Sequence, residues 1–322
     1  MIHRMIIKRI GIGLLILVAV SMLLFAATEI LPGDLAQIRL GQEATPETLN
    51  ALRKQLGLDR PATIRYFEWF IRMCRLDPGE SLFKEGGMAG AQTVRELIAD
   101  RLQNTLLLSC IVAGIAVPIA LILGLLAAMF PTSIYDRTIT FVTMCLMSVP
   151  DFFLATVLIL VFTVSLGWLP SIVTVTSYKS VGHMLYVLAL PIVTLCLKIF
   201  GQIARMTRAA VLNVMSSPYI EMAILKGLPR KYIILKHALP NVISPIVNVI
   251  AICIAYLVSG VVIVEAIFGF PGIANLMVNS VHGRDMPVVQ ACGMIICTAY
   301  VLFILAADIL SILSNPRLRH PK

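Results

Sequence analysis

Residues 104–130 read NTLLLSCIVAGIAVPIALILGLLAAMF, a run of 27 positions without one charged side chain. Crossing roughly 30 Å of hydrocarbon takes about 20 mostly apolar residues in helical conformation. The run is therefore long enough to span a membrane, and because backbone polar groups find no water in lipid, it must do so as a helix within a bundle. Five more runs of this kind flank it, at 10–30, 138–167, 187–204, 242–264 and 288–313. The segment 138–167 is the longest and contains Val149-Pro150-Asp151, so a tilted or broken helix is expected there.

The rest of the chain agrees with a membrane setting. Of 322 residues, 59% are hydrophobic and 13% charged, against about 45–50% and 25% in soluble proteins. Arg4, Lys8 and Arg9 precede the first apolar run, as in a signal peptide. However, Ile10 to Ala27 exceeds a typical h-region of about 7–15 residues, and no small-residue cleavage site closes it before Glu29, so an uncleaved anchor is expected. The seven cysteines form no disulfide framework or metal spacing, and all but Cys74 lie in or beside apolar runs.

The net charge of +9 is unevenly placed. Short loops hold their basic residues on the cytoplasmic side. Arg4, Lys8 and Arg9, Arg137 in the 131–137 turn, six basic residues in the 205–241 loop, and Arg317, Arg319 and Lys322 fall on one face, against Lys179 and Arg284 in the shorter loops of the other. Both termini are thus predicted to be cytoplasmic. The basic residues lack interleaved aromatics, which argues against nucleic-acid binding. Segment 31–103 carries ten basic and ten acidic residues and is punctuated by Pro32, Gly33, Pro61, Pro78, Gly79, Gly86 and Gly87. It reads as a small helical extracytoplasmic insertion between helices 1 and 2, with a binding or capping role. The chain therefore divides into 1–30 (cytoplasmic N-terminus and first helix), 31–103 (insertion) and 104–322 (five-helix membrane core).

Within the core, the 205–241 loop is predicted to form two short helices. Ser217 can cap the first, Pro218 suits its first position, Tyr219 and Glu221 follow in its first turn, Lys226 closes it and Gly227 suits a left-handed C′ residue. A second begins at Pro229, carries the apolar stripe Tyr232, Leu235 and Leu239, and ends as Pro240-Asn241 returns the chain to the membrane. Such a pair either docks a partner by the helix-in-groove mode or covers the bundle as a surface loop.

Charges inside apolar runs are functional suspects. Asp151 either caps the helix restarting after Pro150 or lines a pathway. Glu29 and Glu265 fall near the outer ends of their runs, where interfacial or structural roles are expected. Asp308 is expected to pair with Lys198, Arg205 or Arg208. The five histidines are dispersed and match no zinc motif.

The run Glu221-Met222-Ala223, three residues, Gly227, nine residues, His237-Ala238-Leu239-Pro240 resembles the EAA motif of permease subunits in binding-protein-dependent ABC importers. Met222 replaces the first alanine and His237 the usual aliphatic residue, and the His-Ala-Leu-Pro-Asn ending is similar to the peptide and nickel branch. Further resemblance to that branch lies in Leu31-Pro32-Gly33-Asp34, Leu56-Gly57-Leu58-Asp59-Arg60-Pro61, Ser148-Val149-Pro150, Phe270-Pro271-Gly272, Arg284-Asp285-Met286-Pro287-Val288-Val289-Gln290 and the tail Asn315-Pro316-Arg317-Leu318-Arg319.

The resemblance implies the type I importer permease fold and the first (B-type) permease of a dipeptide, oligopeptide or nickel system in a bacterial inner membrane. It also implies partners: a second homologous permease, two cytoplasmic ATP-binding subunits and an external binding protein. Tyr219, Glu221, Met222, Ala223, Lys226, Gly227, Leu239 and Pro240 would then couple to the ATPases, with Pro150 and Asp151 on the translocation pathway. No phosphate-binding G-x-x-x-x-G-K-[ST] loop is present, so ATP hydrolysis is assigned to the partners, and no cofactor or metal is expected. A secondary transporter is the alternative, but no internal inverted repeat is evident. An intramembrane enzyme would need clustered reacting groups, which a lone Asp151 does not supply.

Overall fold

The computed structural model describes residues 2–30, 45–55, 59–81, 93–173, 180–259 and 261–314. The motifs at 31–34, 56–58 and 315–319, with Gly86, Gly87, Lys179, His320 and Lys322, lie outside the described residues. The described residues are predominantly helical, and their only extended pairing is an isolated bridge between Glu80 and Thr93.

In chain order, α1 (Ile2–Ile30), α2 (Pro46–Gln55) and α3 (Ala62–Cys74) precede α4 (Val94–Met129). The third apolar run is broken: α5 (Ile134–Ser148) and α6 (Asp151–Leu158, continued as a π-helix over Ile159–Ser165) meet at 103° across Val149-Pro150. Next come α7 (Val181–Val187), α8 (Ala189–Met215) and α9 (Pro218–Leu225). Helix α10 starts as Arg230–Tyr232, passes through a π-helical segment Ile233–Ala238 and continues as Leu239–Ser259. It is followed by α11 (Val262–Ile267), α12 (Ile273–Gly283) and α13 (Met286–Ser314). Among the described residues, five helices are long and apolar enough to span a membrane, and six when the bent pair is one span. Their exposed apolar residues, such as Leu15, Leu23 and Phe141, are what a hydrocarbon solvent requires.

The second cytoplasmic-loop helix departs from expectation. It does not stop at Pro240, which lies inside the continuous α10. A π-helical turn just before the proline is one of the local adjustments by which membrane helices accommodate such a residue, and Asn241 Nδ2 adds a bond to the His237 carbonyl at 2.7 Å. The stripe Tyr232, Leu235 and Leu239 is split, with Leu239 packed against the core. Ile233, Ile234 and Ala238 are buried, whereas Tyr232 and Leu235 point outward.

The described chain forms two compact units. One comprises 1–13, 106–270 and 299–322, the other 14–105 and 271–298. In the first, Leu108, Val112, Ala116 and Ala120 of α4 pack with Leu195, Ile199 and Ile203 of α8 and with Cys253 and Leu257 of α10. Close helix approach depends on small residues: a Cβ on Gly124 would fall 2.5 Å from the Ala204 carbonyl oxygen. In the second unit, Val94 and Ile98 pack with Ile273, Leu276, Val288 and Ala291. There Asn104 Nδ2 donates to the Pro271 carbonyl at 2.9 Å, and Gln290 Nε2 to Thr28 Oγ1 at 2.6 Å.

Candidate functional site

Helix α9 begins with Pro218, whose missing N–H costs nothing at this position. The Ser217 hydroxyl does not cap it as expected. It donates backward to the Val214 carbonyl at 2.5 Å. The C-terminus matches expectation closely. Gly227 has φ +76°, its N–H reaches the Ile224 carbonyl at 2.8 Å and the Leu228 N–H reaches Ala223 at 3.4 Å. Those two bonds are the Schellman pattern, which needs a residue tolerant of the left-handed region.

One face of α9 buries Ile220 and Ala223 against Ile233 and Ala238 of α10, with Leu228 packed beside them. The opposite face carries Glu221, Lys226, Tyr219, Met222 and Leu225, all exposed, Leu225 at 80%. A short helix thus leaves several large apolar side chains uncovered beside two opposite charges. Leu239 packs instead with Val211, Ile234 and Val242, and Pro240 is exposed on α10, so the structure does not place these two on the α9 face.

At the break in the third span, Pro150 (φ −63°, ψ 146°) occupies the N-cap position of α6 and Asp151 is the first helical residue. Asp151 is therefore not the cap. Its Oδ2 accepts the Tyr256 hydroxyl from α10, and its Oδ1 lies 2.9 Å from Lys198 Nζ of α8, an ion-pair contact rather than an aligned hydrogen bond. Lys198 Nζ also donates to the Val149 carbonyl at 3.3 Å. One ammonium group thus holds both sides of the break, and a carboxylate at this depth has both an opposite charge and a hydroxyl.

The other charges find partners that sequence reasoning missed. Asp308 pairs with Arg9 of α1 at 2.9 Å, not with Lys198, Arg205 or Arg208. Arg208 instead makes a two-pronged contact with the buried Asp136. Asp136 also closes the 131–133 turn, accepting the Thr132 N–H at 3.0 Å, while its own N–H donates to Oγ of the N-cap Ser133 at 3.1 Å. Glu29 pairs with Arg65, in keeping with a structural role. Among the described residues, no group of three or more His, Cys, Asp or Glu side chains is placed to hold a metal ion.

Comparison with known proteins bears on the whole chain. The family described as "Binding-protein-dependent transport system inner membrane component" matches residues 101–320, and its N-terminal companion family matches residues 1–109. A putative peptide transport system permease protein of Brucella melitensis biotype 1 is 33% identical over 320 residues, covering 99% of this chain and 100% of its own. A glutathione transport system permease protein of Escherichia coli O6:H1 is 33% identical over 316 residues, covering 98% of each chain. An oligopeptide transport system permease protein of Bacillus subtilis is 31% identical over 317 residues, covering 98% of this chain and 99% of its own. Among solved structures, a chain of the MetNI methionine ABC transporter in inward-facing conformations shares the fold at a TM-score of 0.55. It is 21% identical, and the match covers 68% of this chain and 97% of that one.

Proposed function

The chain belongs to the binding-protein-dependent transport system inner membrane component family, and from that premise we propose that it is the membrane subunit through which an ATP-driven importer passes peptides. As a permease subunit it is not itself an enzyme, and ATP is hydrolysed by separate subunits of the system. Its partners are an ATPase and a binding protein. The finer reading is a complex of this chain with a second, homologous permease, two cytoplasmic ATP-binding subunits and an external binding protein. Both termini and α9 then face the cytoplasm, and 31–103 is the extracytoplasmic insertion.

The observation that carries the mechanism is the uncovered apolar and charged face of α9, set on a well-defined Schellman end and packed through Ile220 and Ala223 onto α10. A helix exposing Tyr219, Met222 and Leu225 fits the groove of a partner. In this reading Ala223 and Gly227 fix its seat and direction, Glu221 and Lys226 set the docking register, and Leu239 and Pro240 carry displacement into α10. Rigid-body movement of the ATPases then reaches the break at Pro150 and Asp151, which we place on the pathway.

Reconstitution of the complete complex in vesicles tests this. ATP inside and binding protein outside should support uptake of dipeptides or oligopeptides. Uptake that needs neither ATP nor the binding protein, and follows an imposed ion gradient, would favour the secondary-transporter alternative.

A further inference from the structure

A groove of about 450 Å³ lies between the C-terminal end of α1 and α3, and neither α9 nor the break at Pro150 contributes to its lining. Met22, Phe25, Ala26 and Ile30 form one wall, and Ala62 and Phe67 the other. Glu29 also lines it and pairs with Arg65, which places one charge of each sign at the rim of an otherwise apolar slot. Its volume lies within the range of about 300–1,000 Å³ typical of small-molecule sites.

Helix α3 has an unusual distribution of side chains. Its inner face, Tyr66, Trp69 and Phe70, is tied to α1: Tyr66 OH shares a 2.8 Å hydrogen bond with Ser21, and Phe25 packs edge-on to Tyr66 at 5.5 Å. A second apolar stripe, Ile64, Phe67 and Ile71, stays exposed. Only a narrow strip of Arg65, Glu68 and Arg72 is charged. Such a helix, with two apolar flanks and aromatic residues at the end of a membrane-spanning helix, has the composition of one lying in the membrane interface.

We infer that the groove is a phospholipid site, in which an acyl chain lies between α1 and α3 and the Glu29–Arg65 pair meets a zwitterionic headgroup. Continuity argues for a lipid. The α1 wall of the groove belongs to a helix whose apolar span is only 6% buried within this chain, so the slot is continuous with an apolar surface of the kind that hydrocarbon covers. Complementarity agrees: a phosphate and an amine match Arg65 and Glu29 at one end, and hydrocarbon matches the floor. The exposed Ile64–Phe67–Ile71 stripe extends the same surface into the leaflet that meets the C-terminal end of α1.

The test uses the assembled complex in vesicles of phosphatidylethanolamine and phosphatidylcholine, the latter carrying a photoactivatable diazirine in its acyl chain. Adducts are mapped by peptide mass spectrometry. Adducts on the peptide carrying Ala62 to Phe67 are expected, and Ala26→Phe, which fills the slot from α1, should reduce their yield by more than half. Adducts at Leu15, on the freely exposed part of α1, should not change. Ala62→Met narrows the slot from the other wall and should act alike, which guards against a single variant that fails to assemble. Absence of adducts on α3, a yield unaffected in both assembled variants, or efficient cross-linking of Phe67→Cys to the second permease would overturn the proposal.

Discussion

Lys198 of α8 binds both sides of the broken third span, reaching the Asp151 carboxylate at 2.9 Å and the Val149 carbonyl at 3.3 Å. Removing one partner of a fully buried ion pair costs about 3–5 kcal/mol because it strands the other charge. Here the side chains keep 29% and 19% exposure, so Lys198→Met should cost about 2 kcal/mol after solvent screening. The double variant Lys198→Met/Asp151→Asn should recover part of that loss, since neither charge is then stranded. Thermal unfolding of the purified complex checks this, and equal midpoints for wild type and all variants would refute the coupling.

For transport, Asp151→Asn retains an acceptor for Tyr256 but removes the charge. It should assemble with its partners yet take up cationic peptides about tenfold less well, a change of ~1.4 kcal/mol, with neutral peptides much less affected. Unchanged uptake of both classes would remove Asp151 from the pathway and leave it as a brace for the break.

Gly227 has φ +76° and open space where a Cβ would stand. The cost of a side chain there is therefore in the backbone alone, about 1–2 kcal/mol for an L-residue in the left-handed region. Gly227→Val should insert into the membrane normally but lose most ATP-driven uptake through misdirection of α9, while Gly227→Asn, which tolerates this conformation, should retain it. Parallel measurement of membrane content and uptake distinguishes these outcomes.

Two glycines of α4 make a matched pair. A Cβ on Gly124 would meet backbone of Ala204 at 2.5 Å, whereas one on Gly114 meets nothing within 4 Å. Gly124→Ala should destabilise the complex by about 1–3 kcal/mol through overpacking, and Gly114→Ala should be neutral or slightly stabilising. Comparable midpoints for the two would mean that α4 and α8 are not in such close contact.

Topology can be checked with single cysteines in a chain cleared of its native seven. Asp77→Cys and Lys231→Cys, both at exposed positions, should label from opposite sides of sealed cells, with only the first reached by an impermeant reagent. Labelling of both would contradict cytoplasmic termini.

The six apolar runs, the break at Pro150 and the left-handed Gly227 were legible because each is signalled locally, by run length, a ring or a missing Cβ. Prolines do not all act alike, however. Pro118 and Pro245 lie inside α4 and α10 and break neither, because neighbouring helices and local π adjustments can satisfy the freed carbonyls in a membrane bundle. The fate of Pro240 belonged to that unreadable class. The partners of charges were also hidden. Arg9 and Asp308 sit near opposite ends of the chain, and nothing periodic in either run points to the other. Tyr256 was missed because a single phenol in an apolar run looks like packing until the fold sets Asp151 beside it.

Because the helix continues through Pro240, α10 has the geometry of a lever arm. From Arg230 to Ser259 the helix is uninterrupted, and at about 1.5 Å per residue it is roughly 45 Å long. Ile220 and Ala223 of α9 grip it near one end, at Ile233 and Ala238. If α9 docks a partner as proposed, pivoting α10 by only about 5° at that end would sweep its other end by roughly 4 Å, about the width of a side chain.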